Sequence, residues 1–139
     1  MVTRAELHAF LRKHCLAVVS TVRIGAPQAA VVGIAVTDSL DIIFDTLSTS
    51  RKFANLIADP RVALVVGWDG EETVQIEGIA DVPGGDDLAA CKQAYFAVWP
   101  DGRERETWDH IIWIRVRPRW LRFSDFGVTP PRIEELTLP

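Results

Sequence analysis

The residues whose spacing carries the most chemistry run from Ser48 to Lys52. Ser48, Thr49 and Ser50 supply consecutive hydroxyls, and Arg51 and Lys52 add adjacent cations. Phe53, Leu56 and Ile57 follow at helical spacing, so a helix is predicted to begin near Ser50 and to end at Asp59-Pro60, where proline blocks its extension. The charges of this helix are reversed. Its first turn carries unpaired N–H groups and the positive end of the dipole, where each cation costs roughly 0.3–1 kcal/mol, and Asp59 sits at the opposite end, where acids are disfavoured. Backbone donors, hydroxyls and cations converging on one point suit an anion, above all a phosphate. The plain alternative is a solvated Arg-Lys pair, and the absence of a Gly-rich loop excludes a P-loop.

The elements that must position this turn are mostly strands. "CLAVVSTV", "AAVVGIAVT", "DIIFDT", "VALVVGW" and "TVQIEGIADV" are apolar or alternating runs separated by turn signals at Gly25-Pro27, Asp38-Ser39 and Asp69-Gly70. In the fifth run Val74, Ile76, Ala80 and Val82 share a face, and Gly78 marks a bulge or close approach. "HIIWIRVRPRWLRF" is a last strand interrupted by Pro118. Three short helices are expected: residues 3–14 with a Thr3/Glu6 capping box, residues 50–58, and "DDLAACKQAYFAVW" capped by Asp86 or Asp87. "PDGRERETWDH" reads as a solvated polar loop and "GVTPPRIEELTLP" as an irregular arm. Short links make neighbouring strands antiparallel. The expected fold is therefore mainly β, an antiparallel split barrel of six or seven strands with three peripheral helices in one domain, core 5–126 and arm 127–139.

Composition narrows the function. The chain has 139 residues, 48% hydrophobic and 24% charged, with a net charge of -4 and no apolar run of membrane-spanning length. The first residues lack the pattern of a signal peptide, so a cytoplasmic protein is expected. No basic stripe points to nucleic acid, and His8, His14 and His110 are scattered rather than grouped as metal ligands. Cys15 and Cys91 read as buried small hydrophobes.

Taken in order, "LAVVSTV", "GAPQ", "AAVVGIAV", "IIFDT", "SRKFANL", "ADPRVALVVGW" and "VQIEGIADV" resemble the pyridoxamine 5'-phosphate oxidase-related, FMN-binding split-barrel proteins. The resemblance implies a homodimer with FMN held between subunits. It assigns Arg51 and Lys52 to the FMN phosphate with Ser50 and Thr46 nearby, lays Ala30, Val31, Val32 and Gly33 along the flavin ring, and brings Asp45 to the cofactor. Thr73 stands where the B6 oxidases carry glutamine, and the C-terminal strand lacks their Arg and His pattern. These departures separate FMN binding, which the pattern supports, from vitamin B6 oxidation.

Of the five tryptophans, Trp108 and Trp113 flank the polar loop and are candidates to cover a cofactor; core or interface packing is the alternative for all of them. The basic stretch "RVRPRWLR" is an exposed strand face or a patch for an acidic tail. No nucleophile has a base placed beside it, so a bound cofactor must carry any chemistry. The expectation is an FMN-dependent oxidoreductase acting on a small substrate, with NAD(P)H a possible donor. The alternatives are a non-catalytic flavin-binding module, or a barrel that holds a deazaflavin or haem.

Overall fold

Eight strands join in one antiparallel sheet with four helices around it, in a computed structural model that describes residues 1–139. The elements are α1 (Arg4–Lys13), β1 (Leu16–Arg23), β2 (Ala26–Gly33), β3 (Ala35–Val36), β4 (Ile42–Leu47), α2 (Arg51–Ala58), β5 (Arg61–Val66), β6 (Glu72–Asp81), α3 (Gly85–Val98), α4 (Gly102–Arg105), β7 (Ile111–Asp125) and β8 (Arg132–Thr137). The strand order is β2-β1-β5-β6-β7-β4-β3, and β8 is added along β7. The terminal strands of that path, β2 and β3, are consecutive in the chain and meet at Ile34. What the sequence shows as one apolar run, "AAVVGIAVT", is therefore divided. Its first part pairs with β1, its second with β4, and the sheet curls back on itself as the split barrel expected.

Alternation sets which side of each strand is buried. β5 buries Val62, Leu64 and Val66, and β6 buries Val74, Ile76 and Ala80. Val82 lies past the end of β6 and is exposed, contrary to the sequence expectation. Inside the curl these side chains meet Leu7, Phe10 and Leu11 of α1, Leu56 of α2 and Phe44 of β4. A smaller cluster, Ala35, Ile43, Cys91, Tyr95, Phe96 and Trp113, lies under α3. The outer face of β2-β1-β5 stays apolar and open: Val18 lies opposite both Val31 and Val65, and Ser20 opposite both Ala29 and Ala63.

Three expectations are corrected. α3 is capped by Gly84 with no side-chain bond; Asp86 and Asp87 instead lie in its first turn, where their charge suits the dipole. The polar loop contains the helical turn α4, and Arg105 and Glu106 are not simply solvated but pair with Asp45 and Lys92. The tail forms β8, its register running from Trp120↔Thr137 to Asp125↔Arg132. Strand formation there is stabilised by Arg122 on Glu135 at 2.6 Å and Trp120 Nε1 on the same carboxylate at 3.1 Å. Arg122 and Glu135 are 13 residues apart across the turn that joins β7 to β8, and the prolines at the start of "GVTPPRIEELTLP" hid that hairpin in the sequence.

The bulge expected near Gly78 is present. Glu77 pairs with Trp120 and Gly78 with Pro118, leaving Arg119 as the extra residue. A Cβ at Gly78 would stand 2.5 Å from Arg117 O and 3.1 Å from Pro118 Cα, both backbone atoms that cannot swing away. Gly78→Ala is therefore expected to destabilise the protein by about 2 kcal/mol or more. Urea denaturation checks this, and an unchanged midpoint rejects the close approach.

Candidate functional site

The turn from β4 into α2 is held by its own hydroxyls. Ser50 is the N-cap of α2, its Oγ accepting from Phe53 N at 3.2 Å, and it shares a 3.1 Å hydrogen bond with Thr46 Oγ1. Lys52 Nζ donates to the same Thr46 oxygen at 3.0 Å. Arg51 enters no hydrogen bond or ion pair, so its guanidinium is free. Burial pushes the Lys52 ammonium below its ordinary value, and the charge of Asp45 only partly opposes that. The reversed charge at the other end of α2 is answered within the chain. Arg61 meets Asp59 at 2.7 Å and holds that carboxyl down at about 2. The N-terminal cations have no such answer.

Two concavities meet at Lys52. One, of about 190 Å³, is walled by Val19, Thr21, Gln28, Ala29, Ala30, Arg51 and Lys52; its polar groups include no carboxylate. The other, of about 410 Å³, runs along Val31, Val32 and Gly33 to Asp45, Tyr95, Trp99, Asp101 and Arg105. The β2 backbone passes from one into the other. Gly33 is tight against Trp99, where a Cβ would lie 2.7 Å from the indole, and Trp99 Nε1 donates to Ile34 O at 3.0 Å. The indole thus packs directly on the strand backbone at the point where β2 gives way to β3.

The structure brings together Ala30, Val31, Val32, Gly33, Asp45, Thr46, Ser50, Arg51 and Lys52 as sequence reasoning expected. It does not bring Thr73, Trp108 or Trp113 to either cavity. Thr73 pairs with Ser124 near the start of β6. Trp108 is 56% exposed, free to meet a second molecule but not part of these walls. Trp113 is 4% exposed inside the α3 cluster, edge-on to Phe96, with Lys92 Nζ 4.7 Å from its ring centre; a ring so enclosed cannot cover a cofactor, so that expectation is corrected.

Sequence reasoning missed the far wall. Both Asp45 oxygens are occupied: Tyr95 OH donates to one at 3.1 Å and Arg105 Nε to the other at 2.7 Å. Arg105 also donates to Tyr95 OH at 3.0 Å and to Asp101 at 2.9 Å. Asp45 therefore serves as the post that ties α3 and α4 to the cleft. The one available signal was Tyr95, the lone tyrosine of the chain, on the apolar side of α3. Also missed was Asn55, whose amide donates to Thr21 Oγ1 at 2.9 Å and Gln28 Oε1 at 2.8 Å while its own Oδ1 is buried without a partner. Leaving a buried acceptor bare costs roughly 1–3 kcal/mol.

Residues 3–124 match the family described as pyridoxamine 5'-phosphate oxidase. The chain belongs to that family. It is 35% identical over 115 residues to a pyridoxine/pyridoxamine 5'-phosphate oxidase of Bordetella avium (strain 197N), an alignment that takes in 78% of this chain and 53% of the relative. This member of the pyridoxamine 5'-phosphate oxidase family thus spans about half the length of that curated relative. Among solved structures, a heme binding protein from Mycobacterium smegmatis superposes with a TM-score of 0.83 at 19% identity, over 99% of this chain and 59% of that one. A pyridoxamine 5'-phosphate oxidase-related, FMN binding protein from Nostoc punctiforme PCC 73102 superposes with a TM-score of 0.66 at 12% identity, over 90% and 87%. These likenesses establish a shared fold.

Tyr95 gives the wall a pH signature. Its pKa is raised, first by burial and then by the charge of Asp45. The folded state holds the phenol proton more tightly than the unfolded chain. That contribution is complete below the unfolded value of about 10 and is lost progressively as pH rises above it. In Tyr95→Phe the alkaline fall in stability is expected to be shallower, by up to about 1.4 kcal/mol per pH unit. Denaturation midpoints between pH 9 and 11.5, values chosen to bracket about 10, measure the slope; identical slopes for both proteins rule out a buried phenol.

Proposed function

We propose that this chain is an FMN-binding flavoprotein that serves as an oxidoreductase on a small substrate. The observation that carries the reading is the division of labour on the two sides of Lys52. A cavity whose polar groups include no carboxylate, beside two cations, suits a phosphate, and the adjoining cleft along a bare β2 backbone suits a flat ring. A phosphate would restore to Lys52 the charge stabilisation that burial removes, and would meet Arg51 unencumbered. Family membership and the name of the Nostoc relative support the same ligand. Bound FMN supplies two-electron redox chemistry. The chain's own groups anchor the phosphate, lay β2 against the ring and bound the far end through Tyr95 and Arg105. Both carboxylates of the cleft, Asp45 and Asp101, are paired with Arg105, which fits a site that orients a ligand rather than one that offers a free base.

A second copy of the chain completes the site in this reading. The outer face of β2-β1-β5 exposes Val31 at 61%, Leu16 at 45% and Val65 at 37%, contiguous with the ring cleft through Leu16 and Val31. A patch of this kind is characteristic of a subunit interface. Haem is the second reading, favoured by the fold likeness to the Mycobacterium protein. The cleft wall holds no His, Cys or Met to serve as an axial ligand, and His14 is turned to Asp69 at 3.4 Å, so FMN is preferred.

The purified protein, as isolated or after incubation with FMN, is expected to show flavin absorbance. Arg51→Ala combined with Lys52→Ala should lower FMN affinity at least a hundredfold, roughly the loss of charged hydrogen bonds at two cations; full retention of flavin by the double variant rejects the phosphate assignment. Light scattering should give twice the mass of one chain, and a monomer at micromolar concentration removes the second copy from the reading.

A further inference from the structure

The cavity beside Arg51 and Lys52 has a polar floor that those two cations do not account for. β1 and β2 pair so that Thr21 lies directly opposite Gln28. Asn55, on the inner face of α2 and 1% exposed, reaches both and gives one amide proton to each. With Oε1 of Gln28 occupied by Asn55, the group Gln28 has left is its NH₂. With the Thr21 oxygen accepting, what Thr21 has left is its hydroxyl proton. Neither finds an acceptor in the chain, and both residues wall the cavity shared with Arg51 and Lys52. Asn55 keeps its own Oδ1 bare to make this arrangement. Four side chains with donor capacity left over thus wall one space that carries no carboxylate, and a phosphate, with acceptors on every oxygen, is the chemistry that answers them.

Resting on the flavin reading above, we propose that Gln28 and Thr21 donate to the ligand's phosphate, that Gln28 determines selection of phosphorylated over unphosphorylated flavin, and that Asn55 is the positioning residue that aims them both. Arg51 and Lys52 supply charge; the Asn55 triad supplies direction. Gln28 is half-buried at the cavity wall, so its replacement takes one of two acceptors from the Asn55 amide but removes no side chain of the core.

The test compares FMN with riboflavin, which share a ring and differ in the phosphate, by titration of the full chain. Gln28→Leu is expected to weaken FMN about tenfold and to leave riboflavin within about twofold. Gln28→Glu, which turns a carboxylate toward the phosphate, should weaken FMN about a hundredfold with riboflavin again unmoved. Asn55→Leu should reproduce the selective loss wherever it folds, while Gln28→Leu decides the matter if it does not. Equal losses for both flavins, or unchanged FMN affinity in Gln28→Leu, overturn the proposal. A wild-type chain that takes neither flavin overturns the flavin reading instead, and inorganic phosphate then decides this one. A thermal midpoint raised by phosphate over chloride at equal ionic strength in the wild type, and less so in Gln28→Leu, upholds the donors. An equal response in both proteins, or none in the wild type, refutes them.

Discussion

A lysine ammonium held partly out of water, at the positive end of a helix, with a single threonine hydroxyl as its hydrogen-bond partner, is the constraint around which the rest of this molecule is arranged. Left to itself the first turn of α2 is electrostatically poor, with two cations and no acid. It stays in place because the same helix is anchored from its other side. Leu56 enters the main core, and Asn55 is bonded into the β1–β2 pair. Packing and buried hydrogen bonds thus offset a charge arrangement that an isolated helix would not keep. The penalty is local and the anchoring is distributed, which is how a folded chain sustains two cations with no carboxylate to answer them.

The barrel supplies the second half of the arrangement. One continuous segment, β2 through β3, presents its backbone to the larger cleft and then leaves to pair with β4. The Thr46 that receives Lys52 belongs to that β4. The cation, the hydroxyl beneath it and the strand alongside are therefore joined through two sheet pairings rather than through a flexible loop. On the far side, Asp45 occupies the strand position next to Thr46 and takes the hydrogen bonds of Tyr95 and Arg105, so adjacent residues of one strand face opposite duties. Thr46 supports the site's cation; Asp45 fastens the helices that wall the cleft.

Much of this was legible in the sequence because it is local. The Thr3–Glu6 box, the helix stop at Asp59-Pro60, the Gly78 bulge and the reversed charges of α2 each lie within a few residues and express themselves in spacing. What stayed hidden depends on pairings between elements that the spacing within one element does not announce. β8 forms because Glu135 finds Arg122 and Trp120, and Asp45 matters because Arg105 comes to it from sixty residues away. Trp113 misled for the same reason: a tryptophan beside a polar loop looks available until α3 folds over it. The division of "AAVVGIAVT" at Ile34 leaves no local mark, since both halves are apolar and only their pairing partners differ.

The contact between Trp99 and the β2 backbone has a further meaning. Its indole leans on Gly33, in the wall of the cleft that a conjugated ring would enter, and its nitrogen is fixed on Ile34 O. An emitter so placed lies within close range of any chromophore that enters that cleft. The protein thereby carries a built-in optical reporter. Its ultraviolet emission would pass by energy transfer to an absorbing guest, so that the dimming of a native side chain would read out occupancy without a label.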